Sequence, residues 1–315
     1  MTATPNNTLA AWHKLQLPHG LGTNFVTAQT LARSAIFSTQ SYGPKARRPQ
    51  YLSKTQLATT ETSGIKVFQT AGQGLDQGDA DVFYELLRRV VTSGQETHRE
   101  ARVYFNRNEV IRALGRTLGG KTRKLLDDSL NRLFHAEFEF SVPGLFVGKS
   151  RLILKMLGPE RASETEHDYD VLLDVELARL FDGGQWTLLR RAVLQSIRGN
   201  PLAKGLYGYY STHLSPYPML PETLRDLMGR KGMQFSKFVA ALETALAEVK
   251  EATGWAKCEL VKGKVVVEKG EKGEKGKKEK KDKIDAKDTA PAEGRESESP
   301  APVTYDAACD QYDDI

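Results

Sequence analysis

The densest set of side chains able to recognise a ligand lies between Gly229 and Gly254: Arg230, Lys231, Gln234, Ser236 and Lys237. Arginine and lysine can donate to guanine O6 and N7, glutamine can pair with adenine, and the free amides of a helix start favour a phosphate. These five positions avoid the apolar spacing of Phe235, Phe238, Val239, Leu242, Leu246 and Val249, which predicts one buried helical stripe. They would therefore stand at the exposed start of a helix anchored by its other side. Lys262 and Lys264 sit at a Lys-Gly turn just downstream. A comparable set occurs earlier, with Lys121, Arg123 and Lys124 at a helix start and Lys149 and Arg151 on the flap behind it. The chemistry these residue types suit is recognition of a polyanionic duplex by base edges and phosphates.

Catalytic chemistry finds less support. "GLFVGKS", Gly144 to Ser150, resembles a phosphate-binding loop but has three residues between its glycines where four are needed, and strand-like "RLILKML" follows it. The six histidines, His13, His19, His98, His135, His167 and His213, form no HxH or HExxH pair, and no Ser/His/Asp set can be nominated. Cys258 closes a predicted strand and Cys309 lies in an acidic tail, which argues against a disulfide framework or a zinc site. The expectation is a protein with no enzymatic activity, cofactor or metal. No apolar run approaches the roughly 20 residues of a membrane span, and the N-terminus lacks a secretory pattern, so a cytoplasmic setting is expected. The net charge of +5 conceals +7 on residues 1–261, +5 on 262–283 and −7 on 284–315. A surplus of that size on the foldable part favours an anionic partner.

The elements that must position these groups can be read from periodicity. Residues 1–64 are polar and turn-rich and predict a flexible arm. "IKVFQT" alternates as a strand, and "ADVFYELLRRVV" places Val82, Phe83, Leu86, Leu87 and Val90 on one helical face. "RVYFN" is a strand; Asn106 or Asn108 can cap "EVIRALG". "KTRKLLDDSLNRLF" is a helix burying Leu125, Leu126, Leu130, Leu133 and Phe134. "AEFEFSV" and "RLILKML" predict a hairpin around "PGLFVGKS", with "YDVLLDV" as a further strand, and "DVELARLFDGG" a closing helix. The order then recurs: helices "WTLLRRAVLQSI", "PLAKGLYGYYSTHL" and "PETLRDLMG", the long helix from Gln234, and a hairpin of "WAKCELV" and "KVVVE". Pro216 and Pro218 stop the tyrosine-bearing helix, whose Tyr207, Tyr209 and Tyr210 are expected in the core with their hydroxyls at the rim. From Glu268 the composition is too polar to fold, and this tail reads chiefly as a solvated linker. The reading is an α+β chain of two tandem winged-helix domains, 65–184 and 185–268, with the arm 1–64 and a disordered charged tail 269–315.

Three stretches resemble the TrfA-type replication initiators of broad-host-range plasmids: "LARSAIFSTQ" (31–40), "VLLDVELARLFDGG" (171–184) and "YGYYSTHLSPYPMLPETLRDLMG" (207–229). The resemblance implies sequence-specific binding of double-stranded plasmid origin DNA at directly repeated sites (iterons) and opening of an adjacent AT-rich segment. It also implies recruitment of host DnaA, the replicative helicase and the sliding clamp, with dimers as a second state of an active monomer. The nearest match to the family's clamp-binding peptide, "LQLPHGL" at Leu15 to Leu21, lacks the paired Leu-Phe. The alternative reading is a winged-helix transcriptional repressor that binds an inverted repeat as a dimer.

Overall fold

The computed structural model describes residues 21–42, 47–60, 64–92, 101–158 and 167–270. The chain enters through strand β1 (Phe25–Ala28), a single helical turn α1 (Gln29–Ala32) and the short strand β2 (Phe37–Ser38). This part was expected in the arm. From Leu21 onward it is core instead: Phe25, Val26, Leu31 and Ile36 are each 3% exposed or less. Strands of two to four residues carry too little pattern to show a period, and these find their partners far along the chain. Residues 1–20 lie outside the described residues, and with them most of "LQLPHGL".

Next come β3 (Gln50–Tyr51), β4 (Thr55–Leu57), β5 (Lys66–Gln73) and β6 (Leu75–Asp76), then helix α2 (Gln77–Thr92). β3 and β4 both pair antiparallel with β5, while β6 pairs in parallel with β2. α2 buries Val82, Phe83, Leu86 and Leu87 as its period predicts. β7 (Arg102–Phe105), α3 (Arg107–Ala113) and α4 (Gly120–His135) follow. On α4 the inward stripe is Leu126, Ser129, Leu130 and Leu133; Leu125 is 50% exposed, because it falls on the flank of that stripe.

β8 (Glu137–Val142) and β9 (Phe146–Arg151) form an antiparallel hairpin around Pro143–Leu145, with Gly144 at φ 73°. The flap expected between "AEFEFSV" and "RLILKML" is therefore drawn differently, since "FVGKSR" is itself the second strand. Its Phe146 and Ser150 turn inward beside Phe138, Phe140 and Val142, an alternation hidden in sequence by the glycine and lysine. The hairpin adds to β5, while β10 (Ile153–Leu157) pairs with β11 (Tyr169–Leu173), and β11 with β7.

A 3-10 segment (Val175–Gly184), started by Asp174 accepting from the Glu176 amide, leads to β12 (Trp186–Leu189). "WTLL" was expected to be helical. It is a strand because it completes β1 antiparallel, Phe25 opposite Leu189. Helix α5 (Arg191–Ser196) starts only after it. α6 (Pro201–Ser211) begins with the Asn200 side chain accepting from the Leu202 and Ala203 amides, and Pro201 occupies its first turn. α7 (Pro221–Leu227), α8 (Phe235–Thr253) and the hairpin of β13 (Lys257–Val261) and β14 (Lys264–Glu268) complete the order. The Pro-Tyr-Pro turn continues that hairpin: Met219 and Val265 exchange both backbone hydrogen bonds, at 3.1 and 2.8 Å.

The buried side chains form one cluster running from Leu21 to Val267. Lys269 was expected to open the tail, but its ammonium donates to the carbonyls of Ser211, at 3.3 Å, and His213, and lies over the Trp255 ring. Burial there lowers its pKa to about 8. Residues 271–315 lie outside the described residues. Among the described residues no helix is long and apolar enough to cross a membrane.

Candidate nucleic-acid interface

The turn from α7 to α8 is shaped by glycine. Gly229 has φ 68°, and a Cβ there would stand 2.7 Å from Ser38 Oγ, so no other residue fits without displacement. Arg230, expected on the reading surface, points away from it. Its Nε donates to Thr39 Oγ1 at 2.8 Å and its Nη2 to the Thr39 carbonyl at 2.6 Å, and burial pulls its pKa below the ordinary guanidinium value. Sequence could not place it, because the partner lies 191 residues earlier. Lys231, Gln234, Ser236 and Lys237 are all exposed.

α8 holds its first turn out because its anchor begins at Phe238. Phe238, Leu242, Ala245, Leu246 and Val249 are buried. Phe235, expected in that stripe, is 38% exposed and faces the Arg225 guanidinium at 5.8 Å. The first turn carries no acidic residue, and the Gln234 side chain at its N-cap does not bond its amides. Its positive end is thus available to an anion.

The β13–β14 turn presents Lys262 and Lys264, both exposed. Lys262 has φ 48° and Gly263 φ 75°. Two positive φ values suit a tight hairpin turn, in which Asn-Gly is the usual pair and lysine is unusual. Lys231 and Lys264 line one cleft of about 1200 Å³, together with Lys66, Tyr217, Glu222 and Asp226. The structure thereby brings the turn before α8 and the hairpin to one surface.

In the first half, Lys121, Arg123 and Lys124 are exposed on the first turn of α4, with Arg123 Nε donating to Asn108 Oδ1 at 3.1 Å. Lys149 and Arg151 are exposed on β9, but opposite carboxylates. Arg151 meets Glu137 at 3.4 Å, and Lys149 is in register with Glu139, which Lys54 binds at 2.6 Å. One feature here escaped the sequence reading. "GRTLGGKT", Gly115 to Thr122, has the glycine–lysine spacing missing at Gly144 and opens α4. It follows a helix rather than a strand, so the phosphate-loop cradle is not formed. "GLFVGKS" itself runs into β9, with Ser150 donating to Asp174 at 2.6 Å.

The three tyrosines of α6 are core residues, each 3% exposed or less, and their hydroxyls lie inside rather than at the rim. Tyr207 accepts from the Arg190 amide at 2.8 Å and Tyr209 donates to Met219 Sδ at 3.0 Å, whereas the Tyr210 hydroxyl has no partner among the described residues. Burial raises the phenol pKa of Tyr209 and Tyr210 and pushes the Cys258 thiol up to about 12. Among the described residues no three metal-ligating side chains converge.

Residues 16–268 match the family model described as TrfA protein. The plasmid replication initiator protein TrfA of Escherichia coli is 23% identical over 239 residues, 75% of this chain and 56% of that protein. The chain thus spans little more than half the length of that relative. Among solved structures, domains 2 and 3 of RctB superpose with a TM-score of 0.50 and 15% identity, over 76% of this chain and 96% of that one. A second structure of RctB domains 2–3 gives 0.46 and 16% identity, over 73% and 93%. The first superposition places the mixed α and β architecture among known folds. With the matched region running from residue 16 to the last strand of the second hairpin, the chain belongs to the TrfA protein family.

Proposed function

We propose that this chain is a non-enzymatic initiator that binds directly repeated sites in double-stranded plasmid origin DNA through two tandem winged-helix units. The observation that carries this reading is the exposed, acid-free first turn of α8, with Lys231 before it and Lys262 and Lys264 on the adjoining hairpin. Two helices joined by a turn and followed by an antiparallel hairpin occur twice, as α3–α4–β8–β9 and α7–α8–β13–β14, which supports the tandem reading. Gln234, Ser236 and Lys237 read base edges; Lys231, Lys262 and Lys264 contact phosphates. Lys121, Arg123 and Lys124 form a second contact, to which the carboxylate-faced Lys149 and Arg151 add little.

Binding then promotes opening of a neighbouring AT-rich segment, and host DnaA and the replicative helicase are recruited to it. Family membership supports these steps. Footprinting on plasmid origin DNA should show protection of several equally spaced repeats, and permanganate should detect unpaired thymines beside them. Absence of any preference over random duplex would remove the proposal. Protection of one inverted repeat by a stable dimer, without unpairing, would replace it with a repressor.

A further inference from the structure

The segment Phe37–Thr39 contributes nothing to the exposed basic surface, yet it grips the turn that leads into α8. Thr39 is fully buried. Its amide and its hydroxyl each donate to the Met228 carbonyl at 2.9 Å. The same hydroxyl accepts from Arg230 Nε at 2.8 Å, and the Thr39 carbonyl accepts from Arg230 Nη2 at 2.6 Å. Ser38 Oγ adds a bond to the Gly229 carbonyl at 3.2 Å. Three successive residues of the turn are thus held by Ser38, the last residue of β2, and by Thr39 just after it.

The other side of β2 is held as firmly. Gln77 Nε2, at the start of α2, donates to the Phe37 carbonyl at 2.7 Å, and Phe37 and Ser38 pair with Leu75 and Asp76. Space is closed as well as bonds made. A Cβ on Gly205 of α6 would lie 2.4 Å from Thr39 Cγ2.

We propose that Phe37–Thr39 is a positioning strap for the reading helix, with Thr39 acting through Arg230 and Met228 to fix the α7–α8 turn and so the pose of the first turn of α8 on DNA. This rests on α8 being the base-reading helix. Base-edge recognition tolerates only a small error in pose, whereas phosphate attraction depends mainly on charge. Loosening the turn therefore lowers specific binding and leaves non-specific binding in place. Arg230 and Thr39 act as positioning residues, and neither touches DNA.

The test uses the full chain and two probes: a duplex selected by the wild-type chain from a random-sequence library, and an unselected duplex of equal length. Thr39→Val removes the hydroxyl and keeps the shape. It is expected to lower the ratio of specific to non-specific affinity about tenfold, the loss of a hydrogen bond to a charged group. Thr39→Ser should restore the ratio. Arg230→Gln, at a half-buried position less prone to unfolding the chain, should lower it similarly, and the double variant should lose no more than either alone. Thermal unfolding and circular dichroism confirm that each variant is folded. Folded Thr39→Val and Arg230→Gln chains with an unchanged ratio would overturn the strap, as would an equal loss on both probes. If the wild-type chain enriches no duplex, the reading of α8 fails first.

Discussion

Lys262 departs from the ordinary rules for its type. Among the described residues it is the one non-glycine with positive φ, in a turn where asparagine or glycine would sit without strain. Such a conformation costs on the order of 1 kcal/mol. A strained lysine at an exposed hairpin tip fits a side chain kept there for contact. Lys262→Asn should raise stability to urea by about 0.5–1 kcal/mol while weakening binding to every duplex, with the log–log salt slope falling by about 0.9. Tyr210 is the opposite case. Its hydroxyl is buried and, among the described residues, has no partner to offset its desolvation cost. Tyr210→Phe should leave unfolding free energy unchanged or raise it by about 1 kcal/mol, read from a urea transition.

At the scale of the element, a basic side chain is useful to a phosphate only where its neighbours leave it uncompensated. The first turn of α4 has no acidic residue, whereas β9 lies against Glu137 and Glu139 of β8. Lys121→Ala should therefore weaken duplex binding more than Lys149→Ala, measured by anisotropy at several salt concentrations. Equal losses would place β9 in the interface after all. α8 follows the same logic along its length: the exposed positions of its first turn are Phe235, Ser236 and Lys237, none of them acidic, and Glu243 follows two turns in. Only the start of that helix can approach a phosphate backbone at low electrostatic cost.

Across the whole molecule, charged contacts join segments remote in sequence. Lys204 of α6, 5% exposed, pairs with Asp81 of α2, and Arg33 donates to the hydroxyl and carbonyl of Thr212 at 2.8 and 2.6 Å. His213 sits beside that second junction, facing Arg33, Lys269 and the Tyr209 carbonyl. Burial, followed by the Arg33 charge, holds its pKa below the usual imidazole value; the Tyr209 carbonyl opposes this and the Lys269 ammonium adds to it. Between about 6.5 and the depressed value the unfolded chain takes up a proton that the folded chain does not. Stability from this group is therefore complete above that range and lost as the pH falls through it. Urea midpoints of the wild-type chain should decline from pH 7 towards pH 5.5, and His213→Gln should flatten the decline. An identical decline in both would move the cause elsewhere.

Sequence alone determined what depends on neighbours within a turn or two. The α8 stripe apart from its expected first member Phe235, α7 between Pro221 and Gly229, the Lys262-Gly263 hairpin and the alternation of β8 all follow from local period and backbone preference. Tertiary structure decided whatever needed a distant partner. β12 is a strand because β1 lies beside it, Arg230 faces inward because Thr39 is there, and Arg151 is compensated because Glu137 stands opposite. Segments of two to four residues carry too little periodicity to declare themselves, and a charge does not reveal in sequence which opposite charge will meet it. Those choices are made by packing, when the core brings together residues that the chain keeps far apart.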